Sequence, residues 1–212
     1  MKKPSLDKLQ MNNILDKCYE MALDGLPKTP SCYELAKQYT ERYHDPDTAI
    51  KEFAKWQIAK CSTSGFLTSL GGIITLPIAI PANLTSVIYV QLRMIATIAV
   101  IGGYDPSDDK VQTLAYLCLT GSSMSKVCRD AGIKFTNKLT TNAIKKIPGE
   151  LLKKVNGAVS QRLITKFGTT GIINLGRMVP LAGGIVGASF DFVGTNAIAR
   201  QAKKVFLDNS IN

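Results

Sequence analysis

Few side chains in this 212-residue sequence are equipped for covalent chemistry: five cysteines, at 18, 32, 61, 118 and 128, and one histidine, His44. A cysteine attacks as its thiolate, which needs a base or a positive field beside it. Cys61, followed by Ser62, Thr63 and Ser64, could be an exposed nucleophile. His44, however, stands before Asp45 and Pro46 and reads as a helix-start residue, and there is no second imidazole to activate another thiol. The cysteines form no C-x-x-C pair and have no histidine at zinc spacing, so no metal site is expected. Reduced thiols, mostly buried as small apolar groups, are expected instead. No glycine follows a strand in a nucleotide-binding pattern, so no cofactor is expected either, and the sequence reads as non-enzymatic.

Two charges, Arg93 and Asp191, stand isolated in apolar stretches. A buried charge must find a partner, so they are candidates for a structural ion pair. Gly183 and Gly187, extended by Gly194, line small residues along one helix face and predict close packing of another backbone there. In lipid the same pattern would pair two copies, which leaves a homo-oligomer open.

The remaining chemistry is electrostatic, and it is local. Lys and Arg number 26 against 16 Asp and Glu, a net of +10. Residues 126–166 hold ten of the basic side chains and two of the acidic ones, whereas residues 1–60 and 61–125 are nearly neutral. Lys134, Lys138, Lys145, Lys146, Lys153, Lys154, Arg162 and Lys166 are the candidate membrane- or anion-binding residues. Lys134, Lys138 and Lys145 keep to one side of a helix. Beside an anionic lipid surface each lysine contributes about 1 kcal/mol. An acidic protein is the alternative partner, and a merely solvated face is the plainest reading. Nucleic acid is disfavoured: Phe135 and Phe167 are the only aromatics in or beside the stretch, and no base-reading motif accompanies them.

Helices must position these groups. Ser31-x-x-Glu34 has the form of a capping box and predicts a short helix to about Tyr43. Asp45 and Pro46 predict the next, with Ala49, Ile50, Phe53, Ala54, Trp56 and Ile58 as its core stripe. A helix from Pro81 or Ala82 to Ile101 should stop at Gly102-Gly103, and Asp105-Pro106-Ser107-Asp108-Asp109 opens another. Gly132 and Pro148-Gly149 divide the basic stretch into two or three helical pieces, and a last helix runs over about 181–207. The expected fold is all-α: a single compact helical domain of about seven to nine helices around a central apolar, glycine-rich hairpin. Residues 1–60 are expected to supply N-terminal amphipathic helices and residues 61–212 the main helical domain, the two forming one structural unit.

Residues 61–92 contain no Asp, Glu, Lys or Arg. Residues 82–101 have the length of a membrane span, but Gln91 and Arg93 lie near the centre, where arginine costs roughly 2.5–3.5 kcal/mol. Residues 65–80 carry two adjacent glycines, several hydroxyls and a proline. Both segments are expected as a hairpin buried in protein, with release into a bilayer as the alternative. Residues 1–20 lack the apolar core of a signal peptide, so a cytoplasmic location at the membrane periphery is the expectation.

Three blocks carry a family resemblance: TLPIAIPA at residues 75–82, LRMIATIA at 92–99 running into GGYDP at 102–106, and VPLAGGIVG at 179–187 followed by Thr195, Arg200, Ala202 and Phe206. Together they resemble the EcsC family over most of residues 60–207. Phe190-Asp191 stands where members often show Asn. The resemblance implies a helical bacterial protein without a catalytic residue set, named for the third member of an operon that also encodes an ABC transporter, and working at or near membranes. Peripheral association with anionic membranes, through the basic face and the apolar hairpin, is therefore the leading expectation. A membrane-perturbing or pore-forming module and a soluble adaptor for an acidic protein are the alternatives.

Overall fold

The computed structural model describes residues 7–61, 82–132, 146–167 and 183–207; the side chains of residues 60–61, 82–84, 166–167 and 183–193 fall outside that description. Among the described residues the chain forms eight α-helices and no strand: α1 (Lys8–Asp24), α2 (Cys32–Arg42), α3 (Pro46–Cys61), α4 (Ala82–Ile101), α5 (Asp109–Cys118), α6 (Met124–Asp130), α7 (Gly149–Phe167) and α8 (Gly183–Phe206). A 3-10 turn, Gly121–Ser123, joins α5 to α6.

Side chains just outside the helices set where they begin. Ser31 Oγ accepts from the Glu34 amide at 3.1 Å while the Ser31 amide donates to Glu34 Oε2 at 2.7 Å, closing the expected capping box of α2. Asp45 accepts from the Thr48 amide at 2.9 Å and starts α3 with Pro46 in its first turn. Asp7 and Gln10 close a second capping box, which starts α1. Its apolar stripe Met11, Ile14, Leu15, Cys18, Tyr19 and Ala22 is buried. Asp108 accepts from the Lys110 amide at 2.7 Å at the head of α5.

The end of α4 is equally specific. The Tyr104 amide donates to the Ala99 carbonyl at 2.9 Å and the Gly103 amide to that of Val100 at 3.0 Å, a Schellman closure. Gly103 takes the left-handed conformation this needs, with φ +82°. Gly102 is required for a different reason: a Cβ there would run into the Phe206 carbonyl at the end of α8.

Helix α4 is the axis of the molecule. It packs against α1, α2, α3, α5 and α8, and every residue from 88 to 99 is buried. A helix enclosed on all sides satisfies its apolar faces within protein, each buried Ile or Leu contributing ~1.5–3 kcal/mol. No helix among the described residues is long and apolar enough to cross a membrane. The other arm of the expected hairpin, residues 65–80, lies outside the described residues. Helices from residues 1–60 and from the rest of the chain share one hydrophobic core.

The core stripe read for α3 needs one correction. Ala49, Ile50, Phe53, Ala54 and Ile58 are buried, but Trp56 is 54 % exposed. Gln57 takes a buried place instead. Trp56 sits at the edge of the helical stripe, about 100° from its neighbours in sequence, where a small rotation of the helix decides between core and solvent.

Candidate functional site

Two polar constellations stand out, one inside the bundle and one on its surface. Inside, Arg93 is carried by α4 under the 25–31 loop and is only 7 % exposed. Its guanidinium donates through Nη2 to the Pro30 carbonyl, while its Nε–H has no hydrogen-bond partner among the described residues. The side chain of Asp191, the expected partner, lies outside the described residues.

The loop that meets Arg93 is shaped for it. Gly25 has φ +83°, and a Cβ there would come within 2.6 Å of the Thr29 carbonyl oxygen. Lys28 also has positive φ, at 65°. The Leu26 amide donates to Thr29 Oγ1 at 2.8 Å, and that hydroxyl donates back to the Leu26 carbonyl at 2.9 Å. Tyr89, one turn before Arg93, is buried, which raises its pKa; the charge of Arg93 pulls it the other way, as do Thr29 and Leu26. Burial likewise pushes the Cys32 thiol up to about 12 despite the opposing field of Arg93. A shallow cleft of about 460 Å³ lies outside this loop, where Lys28 and Lys37 are offset by Glu34 and Glu41.

Farther along α4, Gln91 Nε2 donates to Thr195 Oγ1 of α8 at 3.1 Å, both groups buried. Across α1 and α5, Tyr116 Oη donates to Asp16 at 2.7 Å and accepts from Gln112 Nε2 at 2.6 Å; burial, then Asp16, raise the Tyr116 pKa. Sequence reasoning missed both sets. Only Gln112 and Tyr116, four residues apart, leave a local trace.

On the surface, α6 and α7 pack together and carry most of the described part of the basic stretch, with Lys146 in the turn before α7. Lys126, Arg129, Lys146, Lys153 and Lys154 are exposed. Arg162 is half-buried and donates to Ser123 Oγ at 2.7 Å, which ties α7 to the 3-10 turn. Lys134, Lys138 and Lys145 lie outside the described residues, as does the side chain of Lys166. Carboxylates from residues 1–60 engage other lysines: Lys37 with Glu41 at 3.8 Å, Lys55 with Glu52 at 3.9 Å and Lys203 with Asp47 at 2.5 Å.

Among the described residues, the groups read for covalent chemistry do not converge. Cys18, Cys32, Cys118 and Cys128 are free and buried. Burial pushes the Cys18 thiol up to about 12 and that of Cys128 to about 11, the reverse of activation. The side chain of Cys61 lies outside the described residues. His44 is exposed in the turn between α2 and α3. No group of three His, Cys, Asp or Glu side chains among the described residues could hold a metal ion.

At Gly194 of α8 a Cβ would meet nothing within 4 Å among the described residues. Gly183 and Gly187 lie on α8, within the stretch whose side-chain surroundings are not described. Among the described residues, a close approach of two helix backbones occurs at Gly102.

Comparison with curated proteins and with solved structures gives no match. A family profile does match, over residues 8–207, so that the N-terminal helices α1 to α3 fall within it along with the blocks at 75–106 and 179–206. The chain belongs to the EcsC protein family.

Proposed function

We propose that this protein is a non-enzymatic helical module that associates peripherally with anionic membranes. The observation that carries the reading is the exposure of Lys126, Arg129, Lys153 and Lys154 on two packed helices, and of Lys146 in the turn before the second, in a stretch whose only acids are Asp130 and Glu150. A cationic surface of this kind draws a protein to anionic headgroups through a field that salt screens. Enclosed α4 then serves as scaffold, and the uncharged residues that follow α3 in sequence supply apolar contacts. Buried thiols of raised pKa and an exposed, lone histidine support the non-enzymatic half.

Flotation with phosphatidylcholine vesicles of graded phosphatidylglycerol content, at low and high salt, tests this. Binding should rise with anionic content and fall as salt rises. Indifference to both would remove the electrostatic interaction and leave a soluble adaptor for an acidic protein as the better reading. Release of an entrapped dye would point instead to the membrane-perturbing or pore-forming alternative.

A further inference from the structure

Arg93 is a buried cation, 7 % exposed, and no carboxylate among the described residues forms an ion pair with it. Of the 16 Asp and Glu residues, only Asp191 and Asp208 have side chains outside that description. Backbone register places neither beside it. Helices α4 and α8 run in parallel, because Gln91 meets Thr195 and Gly102 meets Phe206 at the same separation of 104 residues. Asp191 is therefore level with Val87 of α4, about 9 Å short of Arg93 at the helical rise. Arg93 also stands roughly 200° round α4 from Gln91, the residue that meets α8. Asp208 follows Phe206, which lies at the level of Gly102, about 13 Å beyond Arg93. An arginine does not deprotonate, so holding it inside the protein without an anion is costly.

A second donor lies beside it. Tyr89, one turn earlier on the same face of α4, is 1 % exposed, and its hydroxyl has no hydrogen-bond partner among the described residues. Its polar neighbours, Thr29 and the Leu26 amide, are bonded to each other. The Arg93 Nε–H and the Tyr89 O–H are thus two buried donors under one loop, both short of an acceptor. Thr29 and Pro30 of that loop line the cleft of about 460 Å³ outside it. The cleft carries Glu34 and Glu41 as well as Lys28 and Lys37, a balance that disfavours an extended polyanion and suits a ligand with one small charged group.

We propose that Arg93 and Tyr89 form an oxyanion site beneath the 25–31 loop, entered from this cleft and taking a phosphate group. A guanidinium presents N–H donors in the geometry of a phosphate, and the phenol adds another. The same chemistry serves free phosphate and the phosphate of a lipid headgroup. The site is separate from the lysines of α6 and α7 and does not rest on the membrane reading.

The full chain is titrated with inorganic phosphate against chloride at constant ionic strength. Melting temperature and the Nε–H resonances of isotope-labelled arginine are followed. Stabilisation should saturate as for one site, and the Arg93 resonance, assigned by its loss in Arg93→Lys, should shift with it. Tyr89→Phe and Arg93→Lys should each weaken phosphate binding on the order of tenfold. A Lys153→Gln, Lys154→Gln double variant should bind as the parent does. Dihexanoyl phosphatidylglycerol below its micelle concentration is the second probe. Displacement of phosphate at lower concentrations would support the site with a lipid headgroup as occupant; weaker binding than phosphate at the same two residues would support it with free phosphate. Absence of saturable phosphate binding would overturn the proposal. Binding lost in the lysine double variant but kept in Tyr89→Phe and Arg93→Lys would overturn it too. So would an Arg93 resonance that moves in Asp191→Asn without phosphate, because the chain would then supply the counter-charge itself.

Discussion

The backbone of Gly102 lies so close to Phe206 that a Cβ on Gly102 would stand 2.9 Å from the Phe206 carbonyl carbon. This contact joins the end of α4 to the end of α8, and Tyr104 reinforces it by packing edge-on against the Phe206 ring at 5.4 Å. Gly102→Ala must push two backbones apart and should destabilise by about 1–3 kcal/mol. At Gly103 a Cβ meets nothing within 4 Å, so Gly103→Ala should cost only the left-handed backbone term, roughly 1 kcal/mol. Urea midpoints for the two variants check the order; equal losses would refute the close-approach account.

Arg93 secures the 25–31 loop from inside. Arg93→Ala leaves the Pro30 carbonyl without its donor and opens a cavity along α4, and should cost about 2–4 kcal/mol. Arg93→Lys keeps the charge but not the planar geometry, and should fall between the parent and the alanine variant. Denaturation at unchanged m-value measures both. A loss below about 0.5 kcal/mol for the alanine variant, within the range of ordinary surface changes, would show that Arg93 does not organise the loop.

The buried cysteines make the fold sensitive to alkali. Thiols such as Cys18 and Cys32 have folded pKa values near 12, above the ordinary 9.0. A group that ionises less readily when folded contributes its full stability below its unfolded pKa, and loses it as pH rises through the folded value. Melting temperature should therefore hold up to about pH 9 and fall between there and 12. In native protein at pH about 8, Cys18, Cys32, Cys118 and Cys128 should react with an aromatic disulfide reagent only slowly, and promptly in guanidinium. Rapid native labelling of these four would contradict their burial.

Acid acts through the helix starts. Hydrogen bonds from Ser31 hold the Glu34 carboxyl below its ordinary value, and those from Thr48 and Ser107 do the same for Asp45 and Asp105. A depressed carboxyl contributes stability above its unfolded pKa and loses it as pH falls through the folded value. Stability should be flat through neutrality and decline below about pH 4.5. Asp45→Asn should be less stable than the parent at neutral pH and converge toward it in acid; a constant difference across pH would show that the cap is not acting through its charge.

Legibility in sequence followed the range of the interaction. Ser31 with Glu34, Asp45 with Thr48 and the Gly102-Gly103 stop are settled within a few residues, and each formed as the sequence predicts. Helix α1 was equally local in origin, with Asp7, Gln10 and a stripe from Met11 to Ala22, but its polar composition masks that signal. Pairings across the fold were not legible. Arg93 meets a backbone carbonyl 63 residues away, and a carbonyl has no residue type to betray it. Gln91 finds Thr195 and Asp47 finds Lys203 only once α8 is docked. Trp56 shows the limit of periodicity, which assigns a stripe but not which side chain at its edge meets water. In the basic stretch Lys146, Lys153 and Lys154 are exposed, while Arg162 is turned back toward Ser123, a long-range contact that the sequence does not announce.

Those exposed lysines provide the most direct measurement of the membrane reading. The affinity of the parent and of a Lys146→Gln, Lys153→Gln, Lys154→Gln triple variant for phosphatidylglycerol-containing vesicles should be titrated against salt. At low salt the variant should bind on the order of a hundredfold more weakly, the loss expected for three lysines at ~1 kcal/mol each, and the two curves should converge as salt rises. Equal affinities at every salt concentration, with both proteins folded, would contradict the assignment of this surface to anionic lipid.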